Sequence, residues 1–325
     1  MSNPTLSVTI TSYNYGKYIE KTIKSVLNQT FSDFEIIIID DASSDDSVQI
    51  IKRYVPLDSR ILLIVHQENK GIVPSLIEAC QLARGTYHVH IDSDDWIADP
   101  QAFELQLSVL NENPEMSFVY SIIATYNNQG EPRLIRKIYE SDRILPGEKA
   151  VEKIITDRVA HTGFMMRMRA YRSCGGYSER YHYAHDFKLW TDLCNEGSVG
   201  YINRLLYIIR EHESNATKSL QPLKYEEPIK IIEELFNGSL AQKMANPALV
   251  RHRALGANLT AYATPLIFSG FYRKGWREIY QQIRSRPRET LLQRHTAILM
   301  MRTVLGRKGY QVLENIHTRV AQHKL

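Results

Sequence analysis

The chain has 325 residues, 43% hydrophobic and 23% charged, with a net charge of +4, which is enough apolar material for one large domain or two smaller ones and gives no sign of disorder. Cys80, Cys174 and Cys194 are its three cysteines, far apart and without CxxC spacing, which argues against a disulfide framework or a zinc site and favours a reducing, cytoplasmic setting. No apolar run reaches about 18 residues and no charged-then-apolar leader pattern opens the chain, so neither a spanning helix nor a signal peptide is expected.

Leu6–Ile10 alternates as a strand, Thr11–Gly16 reads as a polar turn, and Ile19, Ile23, Val26 and Leu27 recur at helical spacing up to a break at Asn28–Ser32. Phe34–Ile39 is a continuous apolar run of the kind found in strands buried on both faces, and it ends in Asp40-Asp41. Ala42–Ser47 turns into a helix that runs to about Tyr54, Arg60–Val65 is a third strand, and Val73, Leu76, Ile77, Cys80 and Ala83 mark another helix that stops at Gly85. A fourth strand follows at His88, where Val89 and Ile91 alternate with His88 and His90 before Asp92, Ser93, Asp94 and Asp95.

Strands that alternate with helices predict a parallel, doubly wound α/β sheet whose ligands sit beyond the carboxyl ends of the strands. Thr11–Tyr15, Asp40-Asp41 and Asp92–Asp95 all fall there. Three carboxylates within four residues call for a cation, and their hard oxygens suit Mg2+ or Mn2+. An acidic turn that caps the helix after Pro100 is the alternative. There is no GxGxxG after the first strand and no GxxxxGK[ST] anywhere, which argues against a dinucleotide dehydrogenase or a P-loop enzyme.

Four stretches in this order, Thr11-Ser-Tyr-Asn14, Ser25–Glu35, Ile39–Ser47 and Ile91–Asp95, resemble the family 2 inverting glycosyltransferases of GT-A fold, a Rossmann-like, mostly parallel sheet flanked by helices. The resemblance implies a nucleotide-sugar site built on Thr11, Tyr13, Asp41, Asp92, Ser93 and Arg210, with Mn2+ or Mg2+ as cofactor. Tyr13 would flank the base, Asp41 would accept from it, Asp92 would hold the ribose or the ion, and Asp94 would bind the metal on the diphosphate. The resemblance lapses in the helix after the third strand, where Pro74-Ser75 stand in place of the family's Arg-Asn pair. Asp40 reads equally as an anchor of its strand end, Ser44 or Asp45 as a helix cap, and Tyr15 and Tyr18 as packing on the first helix.

After Pro114, Met116–Tyr126 and Leu134–Tyr139 read as strands around a turn at Asn127–Gly130, and Ala150–Thr156 as a short helix. Phe187, Trp190 and Cys194 fall at helical spacing, which sets Asp186 at a helix start. Asp186 matches the family's Asp before a Leu-Trp helix, which implies the general base. A helix-capping role competes with that. Gly175-Gly176 could let backbone approach the donor sugar or acceptor, and His161, His185 and Trp190 are candidate lining. Tyr207–Asn215 resembles the Tyr-Arg-x-His segment that closes the family's catalytic domain, which implies that Arg210 neutralises the diphosphate and His212 completes the metal site. No QxxRW-like signature of processive synthases is present, so one sugar per encounter is expected.

The catalytic domain is expected over 1–218, with a nucleotide-sugar-binding half at 1–100 and an acceptor-side half at 101–218. Residues 219–325 are expected to form a basic helical region. Residues 1–218 carry 23 basic and 29 acidic side chains, whereas 251–325 carry 14 basic against 3 acidic. Aromatics among cations in Phe271–Arg277, and the apolar Leu291–Leu305 with Arg294 and Arg302, suit an anionic membrane surface as well as they suit packing on the core or on another subunit. The expected partners are therefore a nucleotide-diphosphate sugar and a glycan or lipid-linked acceptor, with an anionic membrane face or a second copy of the chain open and no nucleic acid. A nucleotidyltransferase acting on a sugar phosphate and a non-catalytic sugar-nucleotide-binding protein are the alternatives.

Overall fold

The computed structural model describes residues 3–157, 162–213, 215 and 223–268. The first four strands, β1 (Leu6–Ser12), β2 (Phe34–Asp40), β3 (Ile61–Val65) and β4 (Tyr87–Asp92), lie parallel in the order β3-β2-β1-β4. They are joined by α1 (Gly16–Leu27), α2 (Ser47–Tyr54) and α3 (Ile72–Leu82). Parallel strands need such crossovers, which is why hydrophobic periodicity switches from strand to helix after each one.

One face of this sheet is apolar. Leu6, Val8 and Ile10 of β1, Ile36 and Ile38 of β2, and Val89 and Ile91 of β4 pack with Ile19, Ile23 and Val26 of α1, Ile51 of α2, and Phe103 and Leu107 of α4 (Ala102–Glu112). Complete burial of each such side chain is worth about 1.5–3 kcal/mol, so this layer holds the sheet to its helices. The opposite face is mixed. Ser7 and Thr9 alternate outward from the apolar positions of β1, and His88 and His90 are their register partners on β4. Cys80 of α3 reaches this face at His88.

Beyond β4 the sheet becomes mixed. A three-residue strand, β9 (Met165–Arg167), lies antiparallel between β4 and β6 (Met116–Asn127). Next comes β10 (Ser198–Glu211), parallel to β6, and then the two-residue β5 (Trp96–Ile97), antiparallel to β10. The β6 hairpin is present, but its return strand β7 is Pro132–Arg136, shorter than expected, and β8 (Arg143–Leu145) pairs with β10. The observed class is nonetheless the expected one: a mostly parallel mixed sheet flanked by helices.

The described residues divide into two compact units. The first holds the whole sheet, with α6 (Met168–Ser173) and α7 (His185–Glu196). The second joins the part of α5 (Gly147–Asp157) from Val151 onward to α8 (Leu223–Phe236), α9 (Ser239–Gln242) and α10 (Pro247–Phe268). There the Asn258 amide donates to the carbonyls of Ile155 and Ala254. In α8, Glu227, Pro228, Ile231 and Ile232 are buried, whereas Ile229, Leu235 and Phe236 are half-buried. Phe271–Arg277 and Leu291–Leu305 lie outside the described residues, and among those described no helix is long and apolar enough to cross a membrane.

Candidate active site

The turns after β1 and β2 are laced to each other. Asn14 and Ala42 adopt left-handed backbone (φ 60° and 63°), and Asn14 is held there by its neighbours. Its N–H donates to Ser43 Oγ at 2.9 Å and its Oδ1 accepts from Ser44 N–H at 2.8 Å. Asp40 accepts from both the N–H and the hydroxyl of Ser43, the anchoring role its position suggested. Asp45 accepts from Ser47 N–H, at the first residue of α2, and from Gly16 N–H, so it ties α1 to α2, whose capping position is Asp46 and not the expected Ser44 or Asp45. Tyr13, 46% exposed, stands open beside these turns.

Asp41 is buried, and three donors reach its carboxylate. Oδ1 receives His66 Nδ1 at 2.7 Å and Lys70 N–H at 2.9 Å, and Oδ2 receives Gly71 N–H at 2.8 Å. His66 is braced from behind by Glu78. Pro74 and Ser75 take part in the start of α3: Pro74 sits in its first turn, where a missing N–H costs nothing, and the Ser75 hydroxyl turns back to the Gly71 carbonyl. No cation comes from Pro74-Ser75.

The three aspartates after β4 have separate surroundings. Asp95 is buried, accepting from Arg210 N–H at 2.9 Å and from Thr162 at 3.3 Å, which makes it the clasp that holds the end of β10. Burial, and then the charges of Asp94 and Asp92, push its carboxyl well above the usual range. Asp94, with its side chain 10% exposed, accepts from His212 Nε2 at 2.9 Å and from Asn215 Nδ2 at 3.3 Å. Burial and Asp92 raise its pKa too, against the opposing pull of His212. Asp92 is half-open, its side chain 51% exposed, with Oδ1 at 3.2 Å from His90 Nε2. Burial works against its ionisation, but the hydrogen bond from His90, helped by the nearby His185, outweighs it and leaves the pKa lowered. The Thr22 hydroxyl of α1 fastens the turn, its single hydrogen shared between the carbonyls of Ser93 (2.8 Å) and Asp95 (2.6 Å).

An aromatic and cationic wall flanks Asp94. Tyr18 stacks on His212 at 4.7 Å and Tyr15 meets it edge-on at 5.6 Å, so these tyrosines support the candidate metal ligand rather than merely packing on α1. The Arg210 guanidinium lies 4.8 Å from the Tyr18 and Trp96 rings, its Nε donating to the Asp94 carbonyl, and Lys21 sits 3.3 Å from the Trp96 ring centre. Tyr15, Tyr18, Lys21, Trp96 and Asn215 thus join the site without having been assigned to it from the sequence. The signal available was the placement of Trp96 directly after Asp95 and of Asn215 three residues after His212.

Asp186 lies in the first turn of α7, whose capping position is Ala184 and not Asp186. Its Oδ1 accepts from Phe187 N–H at 2.6 Å. Burial raises its pKa, His185 and the Phe187 N–H oppose the shift, and the charge of Asp92 adds to it. Gly175 and Gly176 take left-handed backbone (φ 88° and 72°) in the turn before this segment, and Gly176 lies tight against Tyr171. Trp190 is 4% exposed and edge-on to Phe164, which sets it in the core rather than on an open wall. The His185 ring is tilted against that of Tyr177, 6.0 Å between centres, and His161 falls outside the described residues.

Thr11 Oγ1, Ser12 Oγ and Ser93 Oγ, at the ends of β1 and β4, are buried with no hydrogen-bond partner among the described residues. Buried hydroxyls are normally satisfied, so three orphans at the strand ends mark a place where a polar ligand or water completes the structure.

A family model described as glycosyl transferase family 2 matches residues 7–175, just over half of the chain. The chain belongs to this family. Chondroitin synthase of Escherichia coli is 30% identical over 231 residues, which is 71% of this chain and 32% of the synthase, so the family member described here spans about a third of that relative. Among solved structures, S. aureus TarS 1-349 in complex with UDP-GlcNAc superposes with a TM-score of 0.69 at 18% identity, covering 97% of this chain and 92% of that one. The mannosyltransferase PcManGT from Pyrobaculum calidifontis, in complex with GDP-Man and Mn2+, gives 0.61 at 14% identity, covering 98% and 87%. At these identities the likeness is one of fold, and it extends the GT-A class beyond the matched segment.

Proposed function

We propose that this glycosyltransferase family 2 chain moves one sugar from a nucleotide-diphosphate donor to a hydroxyl of a glycan or lipid-linked acceptor, with inversion and with a divalent cation. The observation that carries this is a set of unlike carboxylates after β4 and in the first turn of α7: a half-open, readily ionised Asp92, Asp94 paired with His212, and a raised Asp186 that feels the charge of Asp92. An inverting transfer needs a base on the acceptor side, opposite the leaving diphosphate. Asp186 takes the proton from the acceptor hydroxyl, Asp92 holds the donor ribose, and Arg210 meets the diphosphate charge. Tyr13 gives its face to the base.

The donor nucleotide is read from Asp41. A carboxylate oxygen accepts two bonds, and Asp41 already receives three. One position on Oδ2 is left, which fits the single imide N–H of uracil better than the adjacent N1–H and amino donors of guanine. A pyrimidine carrier such as UDP is therefore favoured over GDP.

No group of three or more His, Cys, Asp and Glu placed to hold an ion occurs among the described residues. Asp94 and His212 form a pair, which suits Mg2+ or Mn2+ because these ions keep several positions for water and phosphate oxygens. The buried Ser93 hydroxyl without a partner lies next to Asp94 in the chain. The ion supplies Lewis-acid stabilisation of the leaving diphosphate. We also read residues 251–325, with 14 basic and 3 acidic side chains, as the means by which the protein lies on the anionic cytoplasmic face of a membrane.

A thermal-shift and hydrolysis screen of UDP-, GDP- and dTDP-sugars, each with and without Mn2+, tests this. Selective Mn2+-dependent stabilisation by a UDP-sugar, lost in Asp94→Asn, is expected. A response to none of the nucleotides would overturn the proposal.

A further inference from the structure

A polar chain runs through the mixed face of the sheet to Asp92. His88 Nε2 lies 3.0 Å from Thr9 Oγ1, Thr9 Oγ1 lies 3.2 Å from His90 Nδ1, and His90 Nε2 lies 3.2 Å from Asp92 Oδ1. Cys80 Sγ closes the inner end, 3.6 Å from His88 Nε2. Thr9 and His88 are essentially fully buried, so the inner bonds of the chain are sheltered from water. The chain exists because Thr9 and His90 are register partners on parallel neighbours.

The donor and acceptor inventory gives this chain one direction. An ionised Asp92 only accepts, so His90 Nε2 carries a hydrogen and donates. In a neutral imidazole the other nitrogen is then bare, so Nδ1 accepts the Thr9 hydroxyl hydrogen. With its one hydrogen committed, Thr9 Oγ1 accepts from His88 Nε2–H. Each tautomer fixes the next, and the series ends at Asp92 Oδ1. The other oxygen of Asp92 stays open to the site, on a side chain 51% exposed.

We propose that His90 is a positioning residue for donor binding, aimed and kept in its donating tautomer by Thr9, and that it holds the Asp92 carboxylate in the orientation that receives the donor ribose. This rests on the donor-binding role assigned to Asp92 above. A free aspartate side chain samples several rotamers. The His90 bond selects one of them before the ligand arrives, so its effect is on donor affinity and not on the transfer step.

The test measures the Mn2+-dependent dissociation constants of UDP, GDP and dTDP by titration calorimetry on the full chain. It then follows the tightest of these in variants whose folding is checked by circular dichroism. His90→Phe is expected to weaken binding about tenfold, the scale of one charge-assisted hydrogen bond, and His90→Gln, whose amide can still donate to Asp92, to recover most of it. Thr9→Val is expected to weaken binding a few-fold in the parent, as it frees the tautomer, and to have no effect once His90 is Phe. Thr9→Ser, which keeps the hydroxyl, should resemble the parent and guards against a packing defect in the valine variant. The non-additivity of Thr9→Val and His90→Phe in nucleotide binding is the signature, because a merely structural role would lower melting temperatures additively and leave the dissociation constants alone. Unchanged affinity in His90→Phe, with Asp92→Ala strongly impaired, overturns the positioning role and spares the role of Asp92. Unchanged affinity in Asp92→Ala overturns both, and so does failure of the parent to bind any of the three nucleotides.

Discussion

Asp186 and Asp92 are carboxylates with opposite pKa shifts. Asp186 is raised by burial and by Asp92, whereas Asp92 is lowered because His90 and His185 outweigh its own burial. A base must be ionised to act but gains driving force as its pKa rises toward the working pH. For Asp186→Asn we expect kcat to fall by about 10²–10⁴, the usual range for a general base, with the UDP dissociation constant nearly unchanged; equal losses in turnover and binding would assign the residue to structure. In the parent enzyme kcat/KM should decline on acidification at a pH above the normal carboxylate value of about 3.9, because the folded-state pKa is raised. At this scale the sequence was partly legible. Asp92, Asp94 and Asp95 stand together on the page, but nothing local separates their roles. The separation comes from partners far along the chain, Arg210 N–H for Asp95 and His212 for Asp94. Tyr18 looked like a helix-packing residue for the same reason, since its stacking partner His212 comes from the end of β10.

The site turn keeps its shape because α1 is fastened to it. Thr22 bridges two carbonyls of the Asp92–Asp95 turn with one buried hydroxyl, and a valine of similar size would leave both short of a donor. Thr22→Val should lower stability by about 1–3 kcal/mol in urea unfolding and weaken Mn2+-dependent nucleotide binding as the turn loosens. Stability loss with unaltered binding would show that the turn holds without α1. The glycine pair before α7 offers a second comparison between neighbouring positions. Both need left-handed backbone, but a Cβ at Gly176 would meet the Tyr171 ring at 2.5 Å, whereas one at Gly175 meets nothing within 4 Å. Gly176→Ala should therefore cost clearly more than the roughly 1 kcal/mol expected of backbone strain alone at Gly175→Ala, and equal melting temperatures would refute the packing part of that difference. Among the elements, β1 to β4 and α1 to α3 were readable because long apolar periods identify them. The insertion of β9, the pairing of β5 and the full length of β10 were not. Strands of two or three residues carry no period, and their pairing is decided by what lies beside them.

Over the molecule, the expected boundary near residue 218 omitted one piece: the segment of α5 from Val151 belongs with the C-terminal helices. That attachment runs through contacts such as Asn258 to Ile155, 103 residues apart, which no local composition shift announces. Global stability should also carry a pH signature that net charge does not reveal. His88 is enclosed by Thr9, Cys80 and the neighbouring His90, with Tyr171 close to Cys80, and burial, with His90 as a smaller cause, lowers its pKa to about 3. The unfolded chain binds that proton near pH 6.5. Stability from a neutral His88 is thus complete above about pH 6.5 and falls by about 1.4 kcal/mol per pH unit as pH drops toward 3. Asp94, Asp95 and Asp186 work the other way: their raised folded-state pKa values mean that acidification relieves their buried charge. The parent's own curve mixes these opposed titrations, so a difference between variants is the informative quantity. In His88→Phe the carboxylate contributions remain and the histidine contribution is gone. The stability advantage of the parent over this variant, measured by urea unfolding, should shrink by about 2 kcal/mol between pH 6.5 and pH 5. A difference independent of pH would mean that His88 takes up its proton in the folded state as readily as in the unfolded chain, and that the mixed face of the sheet is open to water.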